Sequence, residues 1–109
     1  MTKNPQKYLY DIVEVGARLS ELLVNVSLLD YEDDIEIQES VERKIEKIAE
    51  ASYKLKTKFN IELSLADKIY NFRGSLVHQY DEIKSETIYK FATYYVPQLV
   101  AEADGLMGE

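Results

Sequence analysis

Apolar residues recur along this chain at steps of three and four, the spacing that brings side chains to one face of an α-helix. The clearest run is Ile37, Val41, Ile45, Ile48, Ser52, Leu55 and Phe59, which predicts a long second helix. Its flanks carry Glu39 with Arg43 and Glu50 with Lys54, each four apart with the acid first, the favourable order for a helical ion pair. Asp33 and Asp34 before it, and Lys54, Lys56 and Lys58 near its end, complement the helix macrodipole. Upstream, Tyr8, Ile12, Val15, Leu19 and Leu22 or Leu23 predict a first helix, with Asn4 as cap and Pro5 at the first helical position. That helix is expected to fray near Val26. Residues 27–34, "SLLDYEDD", read as a connector or one short turn, and "NIEL" (60–63) as a second connector. Leu65, Ile69, Phe72 and Leu76 predict a third helix, capped by Ser64 and ending near Tyr80. Ile88, Phe91 and Tyr95 predict a fourth, capped by Ser85. Pro97 should kink or restart it, because proline lacks an N–H and clashes with the preceding turn. Leu99, Val100, Ala103 and Leu106 continue the apolar side, and Gly105 and Gly108 mark a fraying tail. No strand alternation, internal repeat or low-complexity segment interrupts the pattern. Short connectors make neighbours antiparallel, so the expected fold is all-α: one domain over 1–109, an up-and-down bundle of four main helices.

Composition narrows the chemistry. There is no cysteine, which excludes disulfides, thiolate metal sites and cysteine catalysis. No apolar run approaches the ~20 residues that span a bilayer, and "MTKNPQKYLY" has no apolar signal core, so a soluble cytoplasmic protein without membrane contact is expected. The net charge of −7 argues against broad electrostatic binding to nucleic acid, although a small positive site for a single phosphate remains compatible with it. Nine tyrosines and no tryptophan fit phenol rings at helix edges, apolar body inward and hydroxyl outward. The run "DYEDD" reads as a solvated connector rather than a metal site, and Glu50 as a surface ion-pair partner. No Gly-rich phosphate loop or nucleophile elbow is present.

One stretch departs from this background. "NFRGSLVHQYDEI" (71–83) holds the only histidine, His78, with Arg73 five positions before it and Tyr80 two after. On a helical wheel Arg73 and Tyr80 fall within about 20° of each other, beside the core stripe. His78 lies about 140° from Arg73 and shares a face with Asn71 and Gly74. Arg73 and His78 therefore do not meet side by side within one ideal helix. Gly74, one turn before His78, would let a second helix approach closely, which suggests a symmetric dimer with arginines and histidines of both copies around one cleft. Histidine exchanges a proton near neutral pH, and arginine holds phosphate through paired hydrogen bonds. Together they suffice for metal-free RNA cleavage by the 2′-OH. Taken on spacing alone, solvated side chains at positions 73 and 78, a packing role for Tyr80 and an interhelical hydrogen bond for Asn71 are the simpler readings.

"RGSLVHQY" resembles the signature of HepT-like proteins in the HEPN superfamily: arginine, four residues, histidine, one residue, tyrosine. "IQESVERKIEKIAEASYKL" is similar to the family's long second helix at Gln38, Arg43 and Ile48 to Ala51, with Ala49 where glycine is common. "HQYDEIKSETIYKFATYYVPQL" is similar to its passage into the last helices, proline included. The resemblance spans nearly the whole chain. It implies a homodimeric helical bundle and a metal-independent endoribonuclease toxin, with Arg73 and His78 catalytic at a composite interface cleft. It also implies a partner, a minimal nucleotidyltransferase antitoxin of the MntA type, which uses ATP to place AMP on the signature tyrosine, here Tyr80. The chain itself then needs no cofactor. Gly74 stands where many active relatives carry Asn or Asp, and Ser75 where a basic residue is frequent. With the acidic charge these point to a weak or selective nuclease. The second expectation, of a different class, is a non-catalytic helical partner or substrate-binding subunit of a nucleotidyltransferase.

Overall fold

Helix α1 (Pro5–Leu22) opens as its first residues dictate. Pro5 occupies the first turn and the Asn4 side chain accepts a hydrogen bond from the Gln6 N–H at 2.9 Å, satisfying a donor that the helix itself leaves unpaired. The computed structural model describes residues 4–78 and 84–108. Leu9, Ile12, Gly16 and Leu19 are the buried residues of α1, while Tyr8 and Val15 are only partly covered. The inward face is thus rotated from the expected Tyr8–Val15 stripe, and its centre includes a glycine. The cause is a close crossing: α1 packs on both α3 and α6, and a Cβ at Gly16 would run into the Val100 side chain.

The segment read as a connector or one short turn takes the second form, the five-residue α2 (Leu28–Glu32). Ser27 and Asp30 form a reciprocal capping box, Asp30 N–H to Ser27 Oγ at 3.1 Å and Ser27 N–H to Asp30 Oδ2 at 3.3 Å. This stabilises a helix too short to persist alone. It also buries Tyr31 completely, tilted against Tyr89 with ring centroids 5.4 Å apart. Gln38 donates to the Tyr31 and Glu32 carbonyls at 2.8 and 3.1 Å, closing the end of α2 against the next helix.

Helix α3 (Ile35–Phe59) follows its periodicity closely: Val41, Ile45, Ile48, Ser52 and Leu55 are all at most 1% exposed. Asp34 caps it by accepting from the Ile37 N–H at 3.1 Å. At its other end Asn60 turns left-handed (φ 55°, ψ 34°), and the Ile61 N–H reaches back to the Leu55 carbonyl, the bonding that ends many helices. Of the two expected ion pairs, Glu50–Lys54 forms at 3.1 Å. Glu39–Arg43 does not come within ion-pair distance, and Arg18–Glu14 on α1 does, at 2.6 Å; such exposed pairs contribute little.

Helix α4 (Ala66–His78) packs on α3. Ser64 does not cap it as expected. It lies in the preceding turn, where its N–H and hydroxyl donate to the Glu102 carboxylate at 2.9 and 3.0 Å, tying the α3–α4 turn to the last helix. Ser85 is not a cap either: it is the first residue of α5 (Ser85–Lys90), after Lys84, which makes no side-chain capping bond. From α5 the chain runs without a break through a π-helical turn (Phe91–Tyr95) into α6 (Val96–Met107). Pro97 is the cause. It cannot donate to the Thr93 carbonyl, and its ring crowds that turn, so the helix widens and the Val96 N–H bonds five residues back to Phe91. Thr93 Oγ1 donates to the Tyr89 carbonyl at 2.8 Å and Gln98 Nε2 to that of Tyr94 at 3.0 Å. The expected kink or restart is therefore a π turn within a continuous helix. Five helical rods and no strand make up the described residues. With α1 between α3 and α6, and α3 also against α4, they enclose one apolar core with a Cα radius of gyration of 13.9 Å. Among the described residues no helix is long and apolar enough to cross a membrane.

Candidate functional site

Helix α4 carries the residues that the sequence singles out. Ala66, Ile69 and Leu76 turn into the core, a spacing that leaves Asn71 and Arg73 exposed and Gly74 and Ser75 half-buried. His78 is the last residue of the helix. Tyr80 lies outside the described residues.

Two grooves flank α4. The first, of about 750 Å³, opens between α3 and α4 and is lined by Tyr53, Lys54, Lys56, Tyr70 and Arg73 among others. Tyr53 is 57% exposed and meets Tyr70 edge to face at 6.0 Å. The Tyr70 hydroxyl is buried without a hydrogen-bond partner among the described residues. Burial pushes its pKa up, and the carboxylates of Glu62 and Asp67 add to that. Lys56 sits over the Tyr70 ring at 5.7 Å and lies 3.8 Å from both Glu62 and Asp67. Lys54 is held by Glu50, whose hydrogen bond and charge raise its pKa. Arg73 alone of the groove's cations forms no ion pair among the described residues, so its guanidinium can accept an external oxyanion without first breaking one.

The second groove, of about 530 Å³, lies on the other side of α4, against α5 and the π turn. Lys68, Asn71, Ser75, Lys90, Phe91 and Tyr95 contribute to it. Asn71 and Arg73 therefore face different grooves. The residues four and seven places after Asn71, Ser75 and His78, continue its row along the helix, while Arg73 lies on the far side. Helix geometry alone puts Arg73 and position 78 on different faces of α4. Among the described residues nothing lies within 4 Å of where a Cβ at Gly74 would stand.

The tyrosine pair beside Arg73 and the Phe72–Phe91 stack (4.2 Å, 10° between planes) were not legible as site features, because aromatic residues at helical spacing signal core first. The one local cue was Tyr70, three residues before Arg73 and hence its neighbour on the helix surface. Among the described residues, no three histidine, aspartate or glutamate side chains gather as they would around a metal ion. Comparison of the chain with protein-family models, with curated proteins and with solved structures returned no match.

Proposed function

We propose that this chain is a HepT-like, HEPN-type endoribonuclease toxin that works without a metal as a homodimer. The observation that carries the reading is an exposed Arg73, without an ion pair among the described residues, on the same helix as His78, five residues before it, with no described residue crowding Gly74 between them. Two copies packed about Gly74 would supply the arginine of one α4 and the histidine of the other to one phosphate. His78 takes the proton from the ribose 2′-OH, and the 2′-oxygen forms a bond to phosphorus. Arg73 balances the charge that builds on the phosphoryl oxygens. The bond to the 5′-oxygen then breaks and that oxygen receives a proton, giving a 2′,3′-cyclic phosphate and a 5′-OH. In the same reading an MntA-type nucleotidyltransferase silences the toxin. The Tyr80 hydroxyl attacks the α-phosphorus of ATP, pyrophosphate leaves, and the added AMP brings bulk and negative charge to the site. The second reading, a non-catalytic partner of such a transferase, is favoured by one feature: Gly74 itself, where active relatives carry a polar side chain.

Cleavage separates the two. Protein whose intact mass shows no adenylyl group is incubated with RNA in EDTA beside His78→Ala and Arg73→Ala. The nuclease reading expects cyclic-phosphate ends from the parent and a loss of about 10²–10⁴-fold in rate for His78→Ala, with helicity unchanged. Equal cleavage by His78→Ala sinks it, and no cleavage by the parent leaves the partner reading.

A further inference from the structure

The groove between α4 and the π turn has the features of a nucleotide subsite. Its volume of about 530 Å³ suits a small molecule, since such pockets run from about 300 to 1,000 Å³. Phe72, half-buried, lies stacked on the buried Phe91 at 4.2 Å, with Tyr95 5.5 Å from Phe91. Bases of any identity stack on such surfaces. Asn71, Ser75 and Thr87 line the groove, and none of their side chains makes a hydrogen bond among the described residues, so their donors and acceptors are available to a base edge or ribose. Lys68 and Lys90 line the groove with a single acid, Glu86, and neither lysine is ion-paired among the described residues. In a chain of net charge −7 this is a local reversal of sign. The π turn contributes Phe91 and Tyr95 to the wall, and π turns recur at functional sites.

We infer that this groove binds one nucleotide of a single-stranded RNA, its base against Phe72 and its phosphate toward Lys68 and Lys90. The identity of the ligand as RNA rests on the nuclease function proposed above. The geometry adds a direction: Asn71, Ser75 and His78 share a row, and Ser75 and His78 are separated by about 4.5 Å of helix rise. A base seated here leaves its ribose near the end of α4 that carries the histidine. Asn71 and Lys90 are then positioning residues.

The test uses the unmodified full chain and nucleotides that it cannot cleave. 5′-AMP and 5′-UMP, with adenosine and inorganic phosphate as controls, are titrated while backbone amide NMR shifts are followed, and RNA cleavage is measured in parallel. Shifts should centre on Lys68, Asn71, Ser75, Thr87 and Lys90, with the nucleotides bound about tenfold tighter than either half alone. Lys90→Glu should weaken AMP about tenfold while leaving adenosine unchanged, and Asn71→Ala should weaken both. Lys58→Glu, the same charge change at the end of α3, should do neither. Shifts centred on Tyr53 and Arg73, no binding, or binding unaffected by Lys90→Glu and Asn71→Ala would overturn the inference, and cleavage by the parent would then leave the nuclease reading intact. Binding at the groove without cleavage has the opposite meaning: the subsite stands and the nuclease reading falls.

Discussion

A methyl group at position 16 has nowhere to go, because Val100 of α6 occupies the space. Gly16→Ala should therefore cost about 1–3 kcal/mol, the usual range for overpacking a core, read as a lower urea midpoint with an unchanged slope. Val100→Ala in the same chain should return part of that loss, since the two positions share one contact. Additive losses in the double variant would show that the crossing is not what constrains Gly16. This residue also explains why the α1 face was misread. Hydrophobic periodicity gives weight to Tyr8 and Val15 and none to a glycine, yet the closest helix approach pulls the buried face toward the residue with no side chain. Gly74 is the contrasting case, helical and open, so nothing inside the chain requires a glycine there.

At the level of elements, the stripe of α3 was legible from Val41 to Leu55, because its apolar residues, acidic N-terminus and basic C-terminus all agree, whereas the capping bond of Asp34 was not. The weaker readings failed where a polar residue had a better partner than the nearest helix end. Ser64 binds Glu102, 38 residues away, and no local rule anticipates that contact. The α2 helix was legible only as one of two alternatives, a short turn, because Asp30 of its capping box opens an acidic run that resembles a solvated loop. Pro97 was read for the right reason, but its effect spread into the five residues before it. At the site the same division holds: Arg73 and His78 could be placed on separate faces by counting, whereas the two grooves exist only once α3 and the π turn are docked. Asn60 offers a test at this scale. Its positive φ costs most residues about 1–2 kcal/mol, so thermal midpoints should fall in the order Asn60→Gly at or above the parent, then Asn60→Ala below it by about 1 kcal/mol. An Asn60→Ala variant as stable as the parent would mean that the α3–α4 turn relaxes to another form.

For the molecule as a whole, the proposed dimer turns on Gly74. Because no described residue lies within 4 Å of a Cβ there, Gly74→Arg should block the approach of a second α4 without lowering the monomer's unfolding temperature. Analytical ultracentrifugation should show the parent as a dimer and the variant as a monomer; a variant that still dimerises would move the interface elsewhere. A separate property follows from the packing of α1 against α6. Gly16 and Val100 touch although 84 residues separate them, so a ribosome elongating at about 5–20 residues per second needs roughly 4–17 s to pass from one to the other. Throughout that interval the apolar side of α1 has no α6 to cover it. The newborn chain thus exposes a sticky helix for seconds before its own last segment arrives, a period in which a chaperone holding α1 would decide between folding and aggregation.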